Sequence, residues 1–156
     1  MFVQEQQIPL PMSSQWLERV RSTVSDALRE QPRELRAAAL LAASELAENV
    51  LKFGRPTPEA ADGSVRVALV GDELRVISEC GASPERFRSV EALIERITTC
   101  VDTELLYVER LNQLLRSPGA ESIGLGLIRV AHEGAFALRC SYDEPKLTIV
   151  AVRKLE

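Results

Sequence analysis

The sequence predicts an α+β fold: a two-layer α/β sandwich in which a mixed, mainly antiparallel sheet carries helices on one face. Three observations carry this expectation. Two stretches, 64–78 and 135–152, each hold two alternating apolar runs around a short polar turn, the pattern of a β-hairpin. Other stretches repeat apolar residues every three or four positions, the helical period. The resulting order is strand, helix, helix, hairpin, helices, helix, hairpin, which lacks the strict alternation of a doubly wound parallel sheet.

Taken in order, residues 2 to 8 read as an opening strand anchored by Phe2 and Ile8 and ended by Pro9 and Pro11. Ser13 and Ser14 are candidate N-caps for a helix through about Arg29, with Trp16, Val20, Val24 and Ala27 or Leu28 as its apolar stripe. Pro32 restarts the chain in the first turn of a helix from about Arg33 to Phe53, where Leu35, Ala39, Ala42, Leu46 and Val50 recur at helical spacing and Gly54 supplies the stop. The alanines at 37, 38, 39, 42, 43 and 47 let that helix lie close to a neighbouring layer.

Residues 55 to 63 have loop composition. The first hairpin follows, with Val65, Val67 and Leu69 on one side of its first strand, Gly71-Asp72 as the turn, and Leu74 and Val76 on one side of the second. Ser83-Pro84 opens a helix striped by Phe87, Val90, Leu93 or Ile94, and Ile97. A break at 98–103 leads to a further stripe at Leu105, Val108, Leu111 and Leu115, ending before Pro118-Gly119. Gly124-Leu125-Gly126 then enters an apolar helix that stops near Gly134, and the runs 135–142 and 147–152 form the last hairpin around Asp-Glu-Pro-Lys.

At 156 residues the chain fits a single domain, 1–156, able to bury about 70% of its unfolded surface. A net charge of −4 without basic clusters argues against a nucleic-acid or membrane surface. Cys80, Cys100 and Cys140 are odd in number and lack metal or redox spacing, so they read as small buried residues in a reducing compartment. The N-terminus has no basic segment followed by an apolar run, and no stretch approaches membrane-spanning length, so a cytoplasmic protein is expected.

The chemistry-bearing pattern is a carboxylate and a carboxamide, Glu45 and Asn49, four residues apart on one helix and therefore one above the other. A carboxylate can take a proton or order a water, and an amide oxygen can ligate Mg²⁺, which keeps few protein oxygens beside waters and phosphates. The same residues also suit an ordinary polar helix surface, and Glu48 suits a solvated one. Gly124 and Gly126 can form a phosphate-binding helix N-terminus or simply a close-packed helix start. Glu79 and Gly81 can likewise end a strand in a turn. His132 has no phosphoacceptor surroundings and reads as structural.

E-x-x-x-N on a helix, a hairpin delivering an acidic residue two before a glycine, and G-x-G at a helix start, in that order, resemble the GHKL (histidine-kinase-like) ATPase superfamily over about residues 35–156. The small size resembles its anti-sigma-factor serine kinases, and the run Ser122-Ile-Gly-Leu-Gly-Leu-Ile resembles the SiaB-type protein kinases. The resemblance implies a Bergerat-type ATP site. Glu45 would be the general base, Asn49 the Mg²⁺ ligand, Glu79 and Gly81 the adenine contacts, and Gly124, Leu125 and Gly126 the triphosphate cradle. It also implies Mg·ATP as cofactor and an anti-anti-sigma or related regulatory protein as partner, phosphorylated on Ser or Thr. The chain departs from the family's D-x-G-x-G, carrying Glu79-Cys80-Gly81-Ala82-Ser83. Two functions are therefore expected alternatives: a bacterial signalling kinase or anti-sigma-like switch, and a binding module of the same fold without ATP. A homodimer through the sheet face or the first helix is compatible with both.

Overall fold

The computed structural model describes residues 3–10, 15–55, 63–116 and 123–155. Its elements run β1 (Val3–Leu10), α1 (Trp16–Ala27), α2 (Arg33–Phe53), β2 (Gly63–Val70), β3 (Glu73–Gly81), α3 (Pro84–Thr99), α4 (Thr103–Arg116), α5 (Ile123–His132), β4 (Ala137–Asp143) and β5 (Lys146–Lys154). One five-stranded sheet has the order β1-β2-β3-β5-β4, and each neighbouring pair is antiparallel. The expected two-layer α/β architecture is thus present, with the sheet antiparallel throughout rather than mixed.

The inward positions of the strands follow directly from period-two alternation. Val65, Val67 and Leu69 of β2, Leu74 and Val76 of β3, and Leu147, Ile149 and Ala151 of β5 are buried in one core with α1, α2 and α5. Helix α2 lies at its centre. Ala39, Ala42, Ala43, Leu46 and Ala47 are fully buried, because a helix of small side chains can approach the sheet and both neighbouring helices at once. Pro32 occupies its N-cap position rather than the first turn. Gly54 ends it with an extended backbone, and a side chain there would lie 2.5 Å from the Val50 carbonyl oxygen, so close approach rather than a left-handed turn requires the glycine. Gly71, at φ +61°, makes the two-residue turn of the first hairpin.

Two strand ends are corrected. Strand β1 does not end at Pro9: it continues to Leu10, with Pro9 opposite Ser64, which an edge strand tolerates because one side of it needs no N–H donor. Strand β3 runs on to Gly81. The stripe Leu105, Val108, Leu111 and Leu115 forms the expected helix, α4, but is exposed, and Leu106 is the buried residue of α4. Helical spacing identifies an apolar face without saying what covers it. Phe2, the Ser13 and Ser14 caps, most of the 55–63 loop and the approach to α5 at 117–122 lie outside the described residues.

Candidate functional site

The site predicted on α2 meets α5, α3 and the end of β3. Glu45 projects from α2 against the first turn of α5, where a methyl group at Gly126 would lie 2.6 Å from Glu45 Oε2. One turn further along α5, Arg129 Nη1 donates to Glu45 Oε1 at 2.9 Å. Arg129 also holds Glu133 of its own helix, Nη2 donating to Oε2 at 3.1 Å. The Glu45 side chain is only 16% exposed. Burial raises its pKa above the usual carboxylate range, and the attraction of Arg129 offsets this only in part. Arg129, bonded chiefly to Glu133, is held even more firmly charged.

The sign of the Glu45 shift fixes a pH dependence. A carboxyl whose pKa is raised by folding favours the folded state at low pH, and that contribution is lost as the pH rises through the folded pKa. Glu45→Gln should therefore gain stability relative to wild type as the pH rises through the folded carboxyl's titration range. Thermal melts of both proteins across that range check the sign.

Asn49 lies one turn beyond Glu45 on the same side of α2. Its Nδ2 atom is buried and, among the described residues, has no hydrogen-bond partner. It borders a cavity of about 20 Å³ with Phe53, Ser78, Cys80, Ala82 and Leu147. That volume is near the room of one water and far below the roughly 300 Å³ at which ligand pockets begin. Burial pushes the Cys80 thiol up to about 11, so it is an inert wall of this cavity. A buried amide without a partner costs stability. Asn49→Leu should consequently raise unfolding stability by on the order of 1 kcal/mol, read from urea denaturation.

The structure does not bring Glu79 to this cavity. Ser78 and Cys80 point toward the helices, so strand alternation sends Glu79 to the opposite face of the sheet. There Arg66 Nη2 donates to Glu79 Oε1 at 2.6 Å, and Lys146 Nζ lies 3.5 Å from Oε2. Gly81 is taken up in backbone pairing, opposite Lys146 and accepting from the Arg55 N–H at 2.8 Å. The following residues are tied down as well. The Ala82 N–H donates to the Pro145 carbonyl, and its own carbonyl accepts from the Tyr142 hydroxyl at 2.7 Å. Tyr142 stacks on Phe87, the ring centroids 4.8 Å apart. Ser83 accepts the Arg86 N–H and caps α3, a use for the residue that stands where a second glycine was anticipated.

Both glycines of Gly124-Leu125-Gly126 serve close helix packing. Gly126 fits α5 over Glu45, and a methyl group at Gly124 would lie 3.0 Å from Arg110 Nε and 3.4 Å from Leu93. Leu125 is half-buried between them. Beside Gly124 lies a second cavity of about 400 Å³ between α3, α4 and α5, bordered by Arg86, Arg96, Arg110, Glu109 and Gln113. Arg86 borders both cavities, with its guanidinium 4.7 Å over the Phe53 ring. A third hollow, of about 690 Å³, lies by Asp26, Arg29 and the Gly71 turn, at the other end of β3 from Gly81.

For Mg·ATP the fit divides. On the metal side, the Glu45 carboxylate and the Asn49 amide oxygen, one turn apart on α2, are oxygen donors of the kind Mg²⁺ accepts, the carboxylate being paired with Arg129. The base side does not fit: its cavity is water-sized, its predicted carboxylate faces away, and its walls are bonded to the β4–β5 turn. Among the described residues, the base side therefore does not fit an adenine ring in this arrangement. Arg129 and Arg86 are the site residues that sequence reasoning missed. Arg129 left one signal, as the lone charge in the apolar run Ile123–Ala131; Arg86 left none.

Among solved structures, a chain of the crystal structure of the SiaB–SiaC complex from Pseudomonas aeruginosa matches 95% of this chain over 88% of its own, with a TM-score of 0.62 and 18% identity. At that identity the likeness shows a shared fold. No family model and no curated protein matches the chain. No helix among the described residues is long and apolar enough to cross a membrane.

Proposed function

We propose that this protein is a signalling regulator that works by binding a protein partner on a histidine-kinase-like scaffold, without phosphoryl transfer. The observation that carries this reading is the closed base side of the site, a water-sized cavity walled by Phe53, Ser78, Cys80 and Leu147 with Glu79 on the far face of the sheet. The fold shared with a chain of a two-protein complex supports a protein partner, and the order of motifs supports the GHKL relationship. A regulatory protein of the anti-anti-sigma or related type is the partner class that this relationship favours.

A second reading, a Mg·ATP-dependent Ser/Thr kinase, is favoured by one observation, the buried Glu45 carboxylate held against the first turn of α5. In that reading Glu45 and Asn49 keep the roles of base and metal ligand, Gly124, Leu125 and Gly126 face the phosphates, and the base side opens before binding. Affinity capture of the partner, followed by incubation with γ-labelled ATP and Mg²⁺, separates the two. The primary reading expects a stoichiometric complex without label transfer. Label on a partner Ser or Thr that disappears with Glu45→Gln overturns it in favour of the kinase.

A further inference from the structure

The exposed large hydrophobic side chains among the described residues lie on or just before one element: Leu105, Val108, Leu111 and Leu115 of α4, and Val101 two residues ahead of it. Leu105 is 67% and Leu115 72% exposed, which makes the stripe a surface and not the rim of the core. The four helical positions fall within an arc of about 120°. Their helix cannot roll to bury them, because its other sides are held. Leu106 is buried in the core, Asp102 Oδ1 accepts the N–H groups of Glu104 and Leu105, Thr103 Oγ1 lies 2.7 Å from His132 Nδ1, and Arg96 pairs with Glu109 at 3.7 Å.

We propose that this face of α4 pairs antiparallel with α4 of a second copy, about a two-fold axis at the height of Arg110 along the helix. Area and charge both point to that occupant. The stripe with Val101 exposes on the order of 500 Å² of apolar surface, so two copies bury about 1,000 Å², the lower limit for a specific interface. A two-fold interface must be self-complementary. Centred on Arg110, an antiparallel pair brings Leu105 to the height of Leu115 in the other copy and Val108 to that of Asn112. It also sets the acidic start of each helix, Asp102 and Glu104, beside the basic end of the other at Arg116. A parallel pair would place like charges and like helix poles together. The size of the patch puts this dimer at the lower end of specific interfaces.

Sedimentation equilibrium of the full chain from micromolar to millimolar concentration tests the assignment. Wild type should show a reversible monomer–dimer equilibrium. Leu105→Glu and Leu115→Glu, both at exposed positions, should keep the wild-type circular dichroism and melting curve while weakening dimerisation by about 100-fold or more. Glu104→Arg should weaken it about 10-fold, and adding Arg116→Glu should restore it, since residues twelve apart on one helix can exchange charge only across the interface. Wild type that stays monomeric throughout overturns the proposal, as does a dimer indifferent to the leucine changes. So does a double charge swap that rescues nothing. A monomer whose capture of a different protein is lost in Leu105→Glu would assign the stripe to that protein and equally overturn self-pairing.

Discussion

Truncation of Leu46 to alanine should cost about 3–5 kcal/mol, the upper part of the range for a fully enclosed leucine. Leu46 has no exposed surface at the middle of α2, where sheet and flanking helices close around it. The sheet is a continuous ladder and α2 a rigid rod, so the space left can collapse only in part, and a cavity term adds to the lost transfer energy. In urea the midpoint should fall while the slope stays constant, because the surface exposed on unfolding hardly changes. For a chain of this size the melting temperature should drop by roughly 10 °C.

Enlarging a neighbour should do comparable harm for the opposite reason. Ala42→Leu adds three carbons where α2 is fully enclosed and should destabilise by about 3 kcal/mol through off-rotamer packing and a lifted helix. Ala37→Leu, on the exposed side of the same helix, should change stability by less than about 0.5 kcal/mol. The contrast isolates packing from helix propensity, since Leu and Ala are both good helix formers. Equal effects at the two positions would mean that the alanine surface of α2 does not set its distance from its neighbours.

Where punctuation and period agree, the fold was legible in the sequence. Helix α2 runs from Arg33 to Phe53 because Pro32 and Gly54 bracket an unbroken apolar repeat, and the first hairpin turns at Gly71-Asp72 as its alternating flanks require. Ser83-Pro84 opens α3 as its chemistry predicts, through a side-chain cap. The candidate site was less legible because its parts obey different rules. Glu45 and Asn49 share a helix face, as spacing implies, yet Arg129 comes from 84 residues away and only tertiary packing reveals that pair.

Glu79 teaches a different lesson. The alternation that places Leu74 and Val76 inward also places Ser78 and Cys80 inward and Glu79 outward. A motif match assigned it to the pocket against the parity of its own strand. The α4 stripe shows the converse limit. Periodicity identified the face correctly, but burial depends on neighbours that no local pattern names.

On the proposed reading the base side of the site admits no nucleotide, and a thermal-shift titration with Mg·ATP is the sharpest check. Wild-type protein is predicted to melt at an unchanged temperature up to millimolar Mg·ATP, with Asn49→Leu indistinguishable from wild type in its response. A saturable rise in melting temperature that needs Mg²⁺ and is lost in Asn49→Leu would show that the site does admit nucleotide.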